Sequence, residues 1–135
     1  MNKQLIAELK RDEGVRLKPY LCTAGKTTIG VGRNLDDVGI SEAEADILLQ
    51  HDIDQCVFEL NATFSWYGRQ TDARQRVLIN MCFNLGLTRL LGFTNFLKAM
   101  EERDYDQAAI EMIDSHWATQ VGDRAFRLEK MMIEG

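Results

Sequence analysis

Apolar residues recur at helical spacing over most of the chain. Leu5, Ile6 and Leu9 mark one side of a short amphipathic helix across the first 13 residues, and Gly14 supplies its stop. From residue 15 to 32 the period changes. Thr27-Thr28-Ile29-Gly30-Val31 alternates at two, and residues 17–21 precede it across a turn at 23–26, which predicts a small hairpin. Pro19 places the first of these strands at an edge. Ser41-Glu42-Ala43-Glu44 is a capping box, so a long helix starts near residue 42 and runs through Ile47, Leu48, Ile53, Val57 and Leu60. Thr71 caps another through residues 77–85, apolar nearly all round and therefore the expected centre of a helical core. Shorter helices are predicted at 94–102, 106–114 and 122–133. Strand signal is confined to one early segment. The fold class is α+β: a mostly helical lobe and a small N-terminal β-hairpin lobe, joined by the long helix, with a cleft between them as the natural site.

Composition narrows the function. With 135 residues the chain fits one domain, and 16 Lys and Arg against 21 Asp and Glu give a net charge of −5, against the basic balance of a nucleic-acid binder. Cys22, Cys56 and Cys82 form no CxxC pair, so neither a disulfide framework nor a zinc site is expected, and no cofactor is implied. No apolar stretch has the length of a signal peptide or a membrane span, so the expected setting is a cytosol, which suits free thiols.

Several residues are placed where chemistry is possible. Glu13 closes the first helix beside Asp12, at the negative end of the helix dipole, where an anion is disfavoured and a carboxyl tends towards the raised pKa of a general acid. Either acid can equally pair with Arg11, Arg16 or Arg124. Gly30 and Gly32 lie two apart, leaving one face of the hairpin bare for a ligand or for tight packing, with Thr28 on the same face. Cys22 ends the first strand; Cys56 and Cys82 fall among apolar helical neighbours as core thiols. Asn80 and Asn84 form a polar stripe at i, i+4 with Phe83 beside it, either paired inside the fold or facing a cleft. His51 and His116 are too isolated for a metal site.

These residues resemble the phage-type lysozymes, the endolysin muramidases of tailed bacteriophages. That family's signature is a Glu, eight residues, an Asp or Cys, five residues and a Thr, the spacing of Glu13, Cys22 and Thr28. Leu78-Ile79-Asn80-Met81 with Phe83, Gly92-Phe93-Thr94-Asn95, Asp106-Gln107-Ala108-Ala109, Ser115, Trp117 and Arg124-Ala125 extend the similarity over nearly the whole chain. The resemblance implies one lysozyme-like domain over residues 1–135: a β lobe at 13–40, an inter-lobe helix at 41–60, and a helical lobe from 1–12 and 61–135. It implies Glu13 as general acid, with Cys22 and Thr28 acting on water at the other face of the sugar. Gly30, Arg33, Asn34, Asn80, Phe83 and Asn84 fall at the substrate. Arg124 is implied as the partner of Glu13 and Arg127 as that of Asp12, while spacing offers Asp52 as the partner of Arg33.

The implied activity is hydrolysis of the β-1,4 bond between N-acetylmuramic acid and N-acetylglucosamine in peptidoglycan. A monomer held in the host cytoplasm, dependent on a holin for access to the wall, would then lyse the cell. Cys22 stands where an Asp is commoner, so the usual pair of carboxylates is absent. A thiol near its ordinary pKa of ~8.5 is mostly protonated at neutral pH, which leaves base, water-orienting group and nucleophile all open for it. The competing readings are a peptidoglycan-binding module with lost or weak catalysis, a lytic transglycosylase, and a cysteine hydrolase pairing Cys22 with His51 or His116. The 34–40 connection is very short, so the β lobe is expected to be trimmed.

Overall fold

The computed structural model describes residues 2–135, so Met1, at the head of the first expected helix, lies outside the described residues. Contacts divide the chain into two compact units, one ending at Leu48 and the other running from Leu49 to Gly135.

The first unit opens with α1 (Lys3–Glu13), started by Asn2, whose side-chain oxygen accepts the Gln4 N–H at 2.8 Å. Gly14 at φ 77° ends it, its N–H donating to the Lys10 carbonyl, so Glu13 is the last helical residue. Strands β1 (Arg16–Leu21), β2 (Thr27–Gly30) and β3 (Arg33–Asn34) follow as an antiparallel sheet in chain order, which puts β1 at an edge as Pro19 requires. Tyr20 pairs with Thr28 and Arg16 with Gly30, so four steps on β1 oppose two on β2. Pro19, with no N–H for the ladder, falls within that irregularity.

The structure corrects the reading of the glycines. The alternating run does not continue to Val31, because Gly30 and Gly32 both sit at φ 69° and the left-handed backbone ends β2 at Gly30. Val31 and Gly32 turn the chain into β3, a strand too short to leave a sequence signal. Gly30 and Gly32 therefore share no strand face. Beyond Asn34 the connection folds on itself, with the Val38 and Gly39 N–H groups donating to the Asn34 carbonyl.

The expected capping box forms. Ser41 Oγ accepts the Glu44 N–H at 3.1 Å and Glu44 Oε1 accepts the Ser41 N–H at 2.9 Å, opening α2 (Glu42–Thr63). The boundary between the units falls within this helix, between Leu48 and Leu49.

The second unit holds the hydrophobic core. A 3₁₀ turn (Tyr67–Arg69) leads to α3 (Asp72–Leu85), capped by Thr71 and burying Val77, Leu78, Met81, Cys82 and Leu85. After it come α4 (Leu87–Leu91), α5 (Thr94–Glu101), α6 (Tyr105–Ile113), α7 (His116–Val121) and α8 (Asp123–Glu134), with α3 packed on α4 and α8, and α6 on α5 and α8. Phe96, Met100, Met112 and Met132 are almost wholly buried with Leu60 and Leu90. Each such side chain contributes about 1.5–3 kcal/mol on burial. The three predicted short helices correspond to α5, α6 and α8. α4 and α7, of 5 and 6 residues, are too short for a period to be read. Among the described residues no helix is long and apolar enough to cross a membrane.

Candidate active site

Glu13, Cys22 and Thr28 all belong to the first unit. Glu13 is exposed at the end of α1, and its carboxylate lies against Gly32. A Cβ on Gly32 would stand 3.1 Å from Glu13 Oε2 and 3.5 Å from Cδ. The glycine thus serves two needs, a left-handed turn and the close approach of the acid. Asp12 takes the Arg11 Nε–H at 3.0 Å, one of the pairings its sequence position allowed, and Arg127 lies exposed on α8.

Cys22 and Thr28 meet at one peptide group. The Cys22 N–H donates to the Lys26 carbonyl at 3.0 Å, closing the β1–β2 turn with Gly25 N–H on the Cys22 carbonyl at 2.9 Å. Thr28 is buried and its hydroxyl donates to the same Lys26 carbonyl at 2.8 Å. In this arrangement the Thr28 proton lies on the Lys26 carbonyl, and the Oγ1 lone pairs can accept. The backbone N–H of Lys26, after it that of Ala24, and to a smaller extent the Thr28 side chain, lower the pKa of the half-buried Cys22 thiol below its ordinary value. Cys56 and Cys82 behave oppositely: burial raises both, Cys82 to about 12. They are core thiols, as expected.

Arg33 differs from its expected pairing. Its guanidinium forks onto Glu44, Nη1 to Oε1 and Nη2 to Oε2 at 2.9 Å each, and Nη1 also reaches the Gly39 carbonyl at 3.1 Å. The capping box has already fixed Glu44 beside the end of the short connection, so Glu44 replaces Asp52, which lies exposed further along α2. That guanidinium also pulls the Glu44 carboxyl down to about 2. Arg33 and Gly30 line a groove of 500 Å³ with Ile29, Val31, Ile40 and Leu48. The Asn34 amide is likewise engaged within the fold, Oδ1 accepting the Asp37 N–H at 3.0 Å and Nδ2 donating to Asp37 Oδ2 at 2.9 Å.

In the second unit the asparagine stripe divides. Asn80, Phe83 and Arg124 line a cavity of 360 Å³ together with Leu49, Ile53, Arg76 and Ile79. Asn84, exposed at the surface, accepts the indole N–H of buried Trp117 at 2.9 Å, so its side-chain oxygen is engaged within the fold. His51 and His116 are exposed on α2 and α7. Among the described residues, no three of His, Cys, Asp and Glu gather where a metal ion could be held.

Sequence reasoning missed Arg76 in the cavity and the acids Asp36 and Asp37 beside β2. Asp36 Oδ2 accepts the Thr27 N–H at 2.7 Å, and Asp37 Oδ1 meets Lys26 Nζ at 3.4 Å. Two acids in a polar turn carry no signal that separates a clamp from a solvated loop.

Comparison with known proteins places the chain in a family. The family described as "Phage lysozyme" matches residues 10–130. "Probable T4-type lysozyme 2" of Dictyostelium discoideum is 31% identical over 89% of this chain and 88% of its own length. "Endolysin" of Acyrthosiphon pisum secondary endosymbiont phage 1 is 34% identical over 78% of this chain and 72% of its own. The "Pre-baseplate central spike protein Gp5" of Enterobacteria phage T4 is 28% identical over 99% of this chain, but only 28% of that larger protein is covered. A family match spanning the Glu13–Cys22–Thr28 segment and most of the helical core leaves one assignment: this chain belongs to the phage lysozyme family.

Proposed function

We propose that the chain is a glycoside hydrolase that cleaves the β-1,4 bond between N-acetylmuramic acid and N-acetylglucosamine of bacterial peptidoglycan, acting as an endolysin in host lysis. The observation that carries this reading is the placement of Glu13 against side-chain-free Gly32, in the same compact unit as the hydrogen-bonded Cys22–Lys26–Thr28 turn. Membership in a family whose relatives are named lysozyme and endolysin supports it.

In this mechanism Glu13 donates its proton to the glycosidic oxygen as the bond to the anomeric carbon breaks. The leaving sugar departs as an alcohol, and positive charge develops on the remaining ring. Water then attacks the anomeric carbon. Thr28 Oγ1, its own proton on Lys26, accepts a hydrogen bond from that water, and the Cys22 thiolate takes the proton it loses. The lowered Cys22 pKa supports this role, since a larger share of thiolate is present near neutral pH than an ordinary thiol would give. Phe83 offers an apolar face to a sugar ring and Asn80 an amide to an acetamido group. With a net charge of −5 there is no global steering to an anionic wall, so Arg76 and Arg124 beside the cavity supply the local attraction. The enzyme works as a monomer and reaches the wall after a holin opens the membrane.

Mass analysis of digested peptidoglycan tests the reading. Wild type should release muropeptides with ordinary reducing ends. Glu13→Gln should fold and release none, and Cys22→Ala should release them much more slowly. Anhydro-muramyl ends would replace hydrolysis by transglycosylation, and cleaved peptide bonds would replace it by amidase chemistry.

A further inference from the structure

The connection after β3 reaches back to the site. Because β3 ends at Asn34, no strand residue lies opposite Thr27 on that side of β2. The ladder nevertheless continues: the Leu35 N–H donates to the Thr27 carbonyl at 2.8 Å, and the Thr27 N–H donates to Asp36 Oδ2 at 2.7 Å. The Asp36 carboxylate thus stands in for the carbonyl that a longer β3 would bring.

The Thr27 N–H and the Lys26 carbonyl are the two ends of one peptide group. A planar trans peptide points them in opposite directions, so holding one end sets the other. The end held by Asp36 is the N–H. The other is the carbonyl that accepts both the Thr28 hydroxyl at 2.8 Å and the Cys22 N–H at 3.0 Å. A bond from an amide to a carboxylate is stronger than one to a neutral acceptor, so the plane is gripped firmly. Asp37 adds a second hold on the same residue through Lys26 Nζ at 3.4 Å.

We propose that Asp36 is a positioning residue of the active site, fixing the Lys26–Thr27 peptide plane and through it the Thr28 hydroxyl and the seat of Cys22. The inference rests on the reading above, in which those two residues handle the attacking water. It adds a residue outside the Glu13–Cys22–Thr28 signature, supplied by the shortened connection.

The test compares wild type with Asp36→Ala and Asp36→Asn in the full chain. Three quantities are measured: turnover and KM for reducing-end release from peptidoglycan, the pH midpoint of Cys22 alkylation by iodoacetamide, and the melting temperature. Cys56 and Cys82 are buried, and the Cys22 peptide is scored separately by mass. Asp36→Ala should lower turnover about tenfold with little change in KM, the size expected when a reacting group loses its placement. It should also shift the alkylation midpoint, because the Cys22 N–H is seated on the carbonyl of that peptide. Asp36→Asn keeps an oxygen acceptor for the Thr27 N–H and should restore most of both.

Lost turnover with an unmoved midpoint, or no rescue by Asn at unchanged melting temperature, would overturn the clamp. A midpoint that moves and is rescued, while glycan cleavage stays at the wild-type rate in all three proteins, would instead overturn the assignment of Cys22 and Thr28 to the reaction. The role of Asp36 would fall with it.

Discussion

Gly32 leaves open the space that the Glu13 carboxylate occupies: a Cβ there would stand 3.1 Å from Oε2, in a turn where the glycine already holds φ 69°. Gly30 shares that φ but has nothing within 4 Å of its would-be Cβ. The two glycines therefore separate strain from contact. Gly30→Ala and Gly32→Ala should each lose roughly 1–2 kcal/mol of stability from the left-handed backbone. Only Gly32→Ala also displaces the acid, so its turnover should fall about tenfold further than that of Gly30→Ala. Denaturant unfolding and reducing-end release on both variants check this, and equal turnover in the two would show that the contact does not matter.

The Arg33–Glu44 fork predicts an acid-sensitive contribution to stability. Glu44 is pulled from an ordinary 4.5 to about 2, chiefly by Arg33 and then by the Ser41 N–H and hydroxyl. A carboxyl depressed in the folded state stabilises above its unfolded pKa, and that contribution is lost as pH falls through the folded value. The melting-temperature gap between wild type and Glu44→Gln should be full above pH 4.5 and close towards about pH 2. The pair is more than a third exposed on both sides, so 1 M salt should narrow the gap as well. A gap independent of pH would mean that the charge on Glu44 is not what stabilises.

Asn84 supports Trp117 from the opposite side of the sequence. Replacing it by Ala removes the acceptor of the Trp117 indole N–H at an exposed position, a loss of about 0.5–1.5 kcal/mol. Asn84→Asp keeps the oxygen and should recover most of that. Turnover per folded molecule should be unaffected in both, which a parallel urea titration and activity assay would show. A turnover defect without a stability defect would mark Asn84 as a substrate contact.

Arg74 ties the end of α8 to α3. Its Nε–H donates to the Met132 carbonyl at 2.9 Å and Nη2 to the Ile133 carbonyl at 3.4 Å, while its guanidinium lies 3.5 Å from the centre of the Tyr105 ring. Lysine has no fork to reproduce this arrangement. Arg74→Lys should destabilise by about 2 kcal/mol, combining a charged hydrogen bond with part of the cation–π term. Amides in the last turn of α8 should exchange faster in hydrogen-exchange mass spectrometry. Unchanged exchange there would show that the carbonyls do not depend on Arg74.

Much of the fold was legible because its cues are local. Ser41 with Glu44, Thr71 before α3, and Gly14 after α1 each act within four residues, and each does what its position predicts. The apolar run of α3 announced a buried helix; five of its residues are buried, while Asn80, Phe83 and Asn84 leave its other side exposed. What escaped was short or non-local. β3 has 2 residues, and α4 and α7 have 5 and 6, below the length at which a period is visible. The partner of Arg33 was misread because spacing cannot show that a tight connection brings Glu44 nearer than Asp52.

The sequence by itself determined the family and the fold class, and it set Glu13, Cys22 and Thr28 at the family's spacing, because residue type and spacing are written in the chain. Tertiary structure alone decided which polar groups were already committed. Asn84 and Asn80 are the same residue on the same helix stripe, yet one holds Trp117 and the other lines a cavity. Gly30 and Gly32 share a backbone conformation, yet only Gly32 meets the acid. The physical reason is common to both pairs. A side chain's chemistry is intrinsic, but the number of its hydrogen bonds and the space beside it depend on atoms brought from elsewhere in the chain.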